Sequence, residues 1–210
     1  MPRRKRARRA VGTRPTDVFL NIPYDKKFER LYLAYIAGIS AFGLVPRATL
    51  EIPTSTRRLD RILRLLHKCP IALHDLSRVE IDRTPPCTPR FNMPFELGLS
   101  VAWAQIDSNR HAWFVLESRN YRLAKSLSDL NGTDVHVHNG RINGVFGALA
   151  NAFVRQHRRP SVQQMRQIYR DLRVNLTRIL ETSGSDSPFQ ARAFRDICVL
   201  ASESADAHVV

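Results

Sequence analysis

Between residues 17 and 155, short runs rich in β-branched and apolar side chains alternate with stretches of helical periodicity. This alternation constrains the fold more than any other feature. A strand that is followed by a helix before the next strand pairs in parallel through a crossover, and a parallel sheet needs cover on both faces. DVFLNIP (17–23) ends at a proline, as a buried strand does at the carboxyl edge of a sheet. Asp25 can cap KKFERLYLAYIAGISAFG, where Phe28, Leu31, Tyr32, Tyr35, Ile39 and Phe42 recur at helical spacing until Gly43. LVPRATLEI (44–52) reads as a second strand, confined by Pro46 to an edge or to its second half.

Thr54 or Ser55 then precedes an amphipathic helix with Leu59, Ile62, Leu63 and Leu66 inside and Arg57, Arg58, Arg61 and Arg64 mostly outside. Cys69-Pro70 stops it, and PIALHDLS is the third strand. A proline-rich loop, RVEIDRTPPCTPRFNMP, follows at a length usually kept for function. Then come the helix FELGLSVAWAQ, the strand HAWFVLES, a polar connector with a turn at Asp129, Asn131 and Gly132, the strand DVHVHNG and the helix INGVFGALANAFVRQH. The order predicts a five-stranded parallel sheet with helices on both faces over 17–158. Pro160 marks a break before a helical extension over 159–210, whose stripe from Met165 to Leu180 suggests self-association into a homo-oligomer.

The net charge of +14 is unusual, and it is unevenly spread. Residues 1–14 carry seven Arg or Lys and no acid, which leaves 26 basic against 19 acidic side chains elsewhere. Residues 1–16 therefore read as a basic disordered tail, either simply solvated or in weak contact with a nucleic acid. Three cysteines without metal-site or disulfide spacing favour a reducing, cytoplasmic setting, and no apolar run approaches a membrane span. His136 and His138 have no third ligand at suitable spacing, so no metal is expected.

In an open parallel sheet, ligands bind where the loops gather at the carboxyl ends of the strands. The loops expected there bring Asn21, Tyr24, Asp75 and Arg78 to one rim, with Tyr24 able to stack on a ring. Glu96 opens an otherwise apolar helix beside that rim, in RFNMPFELGLSVAWA (90–104). Burying a carboxylate costs several kcal/mol unless it is paired or used. An ordinary first-turn acid, favoured by the helix dipole, is one explanation. A sugar pocket is the other, with Asn92 beside Glu96 and Gly98 permitting close approach. Asp75 is open to a similar choice, between a site acid and a strand-end cap for the next turn.

The segment FNMPFELGLSVA after HDLS resembles the active-site region of nucleoside 2-deoxyribosyltransferases, in which an E-L-G-x-x-x-A pattern carries the catalytic Glu. It is similar also to the TIR domains that cleave NAD, as is the opening DVFLNIPYD. The resemblance implies a flavodoxin-like fold and cleavage of an N-glycosidic bond at ribose C1, in bacterial defence or stress response, without a cofactor and with NAD or a nucleotide as substrate. Glu96 would attack or stabilise the anomeric carbon, Asp75 would contact the base or position it, Asn92 would hold a ribose hydroxyl, and Arg78 or Arg90 would meet a phosphate. Two other functions fit the sequence: a TIR-like module that senses a nucleotide without turnover, and a nucleic-acid-associated protein working through its tail.

Overall fold

The computed structural model describes residues 16–52, 55–78, 81–82, 85–107 and 110–209, so the basic tail lies outside the described residues. Five strands form one parallel sheet: β1 (Asp17–Asn21), β2 (Val45–Arg47), β3 (Ile71–Asp75), β6 (Ala112–Glu117) and β7 (Val135–Val137). Two short strands in the loop after β3, β4 (Ile81–Asp82) and β5 (Thr88–Pro89), pair only with each other. The sheet order is β2-β1-β3-β6-β7, a flavodoxin-like arrangement. Register is fixed by pairs such as Asn21 with His74 and His74 with Val115.

Alternation along the strands sorts the core into two layers. Val18, Leu20, Leu73 and Leu116 face α1 (Glu29–Ala41) and α5 (Ile142–Ala152), in one cluster with Tyr35, Phe146 and Leu149. Phe19 and Ala72 face α2 (Arg58–Lys68) and α3 (Asn92–Ile106) with Ile62, Leu65, Leu66 and the half-buried Trp103 and Trp113. Asp25 Oδ1 accepts from the Phe28 N–H at 3.1 Å, which turns the chain into α1. Gly43, at φ 72°, ends that helix in a conformation suited to glycine.

The C-terminal helices α6 (Val162–Ser183) and α7 (Ala191–His208) pack on α1, adding Met165, Ile168, Leu172, Phe194 and Ile197 to the α1 cluster. A Ser161–Gln164 capping box starts α6, and Gly184 ends it. Most of the stripe read as a surface for self-association is thus buried within the chain. Other expectations also shift. The second strand lies at the sheet edge, where Pro46 is tolerated, but it is shorter than the sequence suggests, ending at Arg47 before a 3-10 turn at Thr49–Glu51. In α2, Leu65 takes the inner place expected of Leu59, which is 43% exposed. Among the described residues no helix is long and apolar enough to cross a membrane.

Candidate ligand site at the β1–β3 switch point

From β1 the chain moves to β2 on one side, then crosses back to β3 on the other. Loops leaving neighbouring strands in opposite directions open a crevice at their carboxyl ends. Here it holds a cavity of about 180 Å³, lined by Tyr24 and Asp25 after β1, Arg58 at the start of α2, Arg78 after β3, and Arg90 and Asn92 at the entry to α3. Three guanidinium groups therefore share a wall with one carboxylate. Asp25 stands 3.5 Å from Arg78 and 3.8 Å from Arg90. Partly exposed pairs of that length contribute about 0–1 kcal/mol, so an arriving anion can compete for both arginines.

Glu96 is only 2% exposed. Helix α3 starts at Asn92, earlier than the sequence pattern suggests, so Glu96 lies in its second turn and no acid occupies the first. The helix dipole fades beyond the first turn and does not account for this carboxylate. Arg58 does: its Nη2 donates to Glu96 Oε1 at 3.0 Å. Burial raises the Glu96 carboxyl above its ordinary value, and Arg58 offsets part of that rise. The Arg58 side chain is itself 53% exposed and forms part of the cavity wall, with Glu96 behind it. Tyr24 lies beside this pair and donates from Oη to the Leu20 carbonyl at 2.7 Å. Burial, then the charge of Glu96, pushes its hydroxyl far up.

Asn21 is buried beneath the crevice, where its Nδ2 donates to His74 Nδ1 at 2.8 Å and to the Met93 carbonyl at 3.4 Å. It ties the first turn of α3 to the sheet and does not line the cavity. Because His74 Nδ1 accepts, the ring proton belongs on Nε2, a buried atom with no partner among the described residues. Burial, reinforced by the nearby His111, lowers His74 to about 3, so the ring is neutral.

Asp75 is fully buried on the opposite face of the sheet from His74. Its Oδ2 accepts from Tyr35 Oη at 2.6 Å and stands 3.1 Å from His138 Nε2, while Oδ1 accepts from the Ser77 N–H at 2.8 Å. The Gly140 N–H donates to His138 Nδ1, which leaves the Nε2 proton directed at Asp75 and Ser77 Oγ. Burial pushes the Asp75 carboxyl up, but its bonds with His138, Ser77 and Tyr35 outweigh that and hold it below 3.8. Asp75 caps the turn after β3, and the structure does not bring it together with Glu96.

Asn92 is exposed and lines the cavity, as Arg78 does. Gly98 does not: it is exposed, and a Cβ there would meet nothing within 4 Å, so the close approach expected of it is not made. In the sequence Arg58 looks like an outward arginine of α2. Its contact with a residue 38 positions away leaves no trace in local periodicity. Among the described residues no group of three or more His, Cys, Asp or Glu side chains could hold a metal ion. In comparisons with known proteins, no family model, curated protein or solved structure is significantly similar to the chain.

Proposed function

We propose that the chain acts on the N-glycosidic bond of a nucleotide, with NAD among the candidate substrates and Glu96 as the reacting carboxylate. One observation carries this reading: a carboxylate sealed behind a mobile type of side chain, Arg58, in the wall of an arginine-lined cavity at the switch point. Arg78 and Arg90 hold phosphate oxygens there, Asn92 offers an amide to a ribose hydroxyl, and Tyr24 supports the ring. When the phosphates draw Arg58 away, Glu96 is uncovered beside the sugar. The C1–N bond then breaks with its electron pair leaving on the base: the nicotinamide of NAD departs neutral, whereas the anion of a purine or pyrimidine takes a proton from solvent. The oxocarbenium ion is captured or stabilised by Glu96, and water completes hydrolysis. Asp75 serves only to position the loop after β3.

A second reading, binding without turnover, is favoured by the position of Glu96 behind Arg58 instead of in the cavity wall. One experiment separates them. The full chain is incubated with NAD and a panel of nucleotides, and released base is followed by chromatography. Turnover that Glu96→Gln abolishes while ligand affinity persists supports the glycosidase. Saturable binding with no base released by either protein leaves the sensor reading, and neither binding nor release eliminates both.

A further inference from the structure

A cavity of about 840 Å³, far larger than the one at the switch point, opens where the loop after β7 enters α5 and faces α1 and α6. Lys27 and Arg30 approach it from α1 and its preceding turn, Arg141 from the start of α5, and Arg166 and Arg170 from α6. None of its lining residues is an Asp or Glu. The nearest sequence acids are already engaged: Glu29 with Lys26 and Arg173, and Asp171 with Ser204 and His208. Arg166 donates to the Asn143 amide oxygen at 3.3 Å and Arg170 to that of Gln167 at 3.4 Å, so both have neutral partners. No carboxylate among the described residues pairs with any of the five cations. Gathering like charges around one concavity is unfavourable until an anion enters it.

The remaining wall is not that of a generic basic surface. Leu31, Ile142 and the mostly buried Tyr169 give it an apolar floor, and Asn139 and Asn143 add amides. The first turn of α5 has no acid and no side-chain cap, so its dipole adds to the positive field. Its volume falls in the range of small-molecule sites. We propose that this cavity binds a nucleotide carrying two or more phosphate groups, at a site separate from the switch point and independent of the reaction proposed there. The five cations grip the polyphosphate, and the floor and amides take the nucleoside. A nucleic-acid backbone would be better served by a convex stripe of charge than by a floored concavity.

The test is calorimetry on the full chain with ATP and with inorganic tripolyphosphate as probes. The expected result is saturable ATP binding at one site, competed by tripolyphosphate. Reversing Arg166 and Arg170 together to Glu should weaken it at least about 30-fold, and Lys27→Glu with Arg30→Glu, at the entry to α1, should do the same. Arg192→Glu with Arg195→Glu on α7 makes the same change in net charge outside the cavity and should weaken binding less than about threefold. Folding of each variant is checked by circular dichroism. Equal losses in the cavity and α7 variants, binding without saturation, loss on Arg78→Ala alone, or displacement of ATP by duplex RNA at equal phosphate concentration would each overturn the proposal.

Discussion

Arg58 Nη2 stands 3.0 Å from Glu96 Oε1, a half-exposed guanidinium bonded to a carboxylate that is almost sealed from water. The two partners are not equivalent. Arg58→Met strands a buried charge, whereas Glu96→Gln leaves an arginine that simply turns to solvent. A fully buried pair broken from one side costs about 3–5 kcal/mol, and the exposure of Arg58 reduces this. We expect about 1–2 kcal/mol of destabilisation for Arg58→Met and under about 1 kcal/mol for Glu96→Gln. In the Glu96→Gln background, Arg58→Met should cost almost nothing. Urea denaturation of the four proteins measures the cycle, and additive effects would show that the contact carries no coupling.

Asp75 makes a contrasting case, because its burial is complete and both its oxygens are bonded within the chain. Asp75→Asn preserves shape but exchanges one acceptor oxygen for an NH₂ group. In either amide orientation a donor then meets a donor, from the His138 Nε2–H or from the Ser77 N–H. The expected loss is about 2–4 kcal/mol. Asp206→Asn, on a carboxylate 74% exposed beside Arg158, should stay within about 0.5 kcal/mol. Equal effects in urea would remove Asp75 from the interior network.

The glycines separate what the sequence can say from what it cannot. A Cβ on Gly144 would lie 1.9 Å from the His138 carbonyl oxygen, a backbone atom that cannot swing aside. Gly98 has open space around it and sits inside α3. We therefore expect Gly144→Ala to cost at least about 2 kcal/mol or to prevent folding. Gly98→Ala should stabilise by about 0.5–1 kcal/mol through helix propensity, with ligand binding unchanged. Thermal melts of both variants decide this. A Gly98→Ala protein that lost nucleotide binding would restore the close approach read from the sequence.

Strand and helix order was legible because period-2 and period-3.6 patterns are local, and the parallel sheet follows from their alternation. Glu96 was legible because a carboxylate amid Phe95, Leu97 and Leu99 is costly and visible as such. Its partner was not. Arg58 shares an outward-looking pattern with Arg57, Arg61 and Arg64, and only the packing of α2 near α3 distinguishes it. The same limit hid the cation cavity, whose five side chains come from three separate stretches of chain. Asp75 is ambiguous in the sequence for a simpler reason: strand-end residues next to each other point to opposite faces, and the pattern does not say which face carries the crevice.

Acid should destabilise the protein through its buried histidines. His74 is held at about 3 and His111 is also lowered, both first by burial, from an ordinary 6.5. Between 6.5 and those values the unfolded chain binds more protons than the folded one, so stability is fully present above 6.5 and falls as pH falls. For the fully buried His74 this amounts to about 1.4 kcal/mol per pH unit, or about 2 kcal/mol between pH 6.5 and 5. Glu96 and Glu51 act with the opposite sign, since burial raises both above 4.5 and their contribution is lost as pH rises through that region. Asp75, held below 3.8, adds its loss only in stronger acid. Between pH 7 and 5 the histidines set the direction while Glu96 and Glu51 offset part of the loss, and melting temperature should drop there by a few degrees. His74→Gln starts from a lower stability, having lost the ring, but should show a flatter slope across the window. A slope identical to that of the unmodified chain would mean that His74 takes up its proton in the folded state as freely as in the unfolded one, and that its surroundings beneath α3 are open to water.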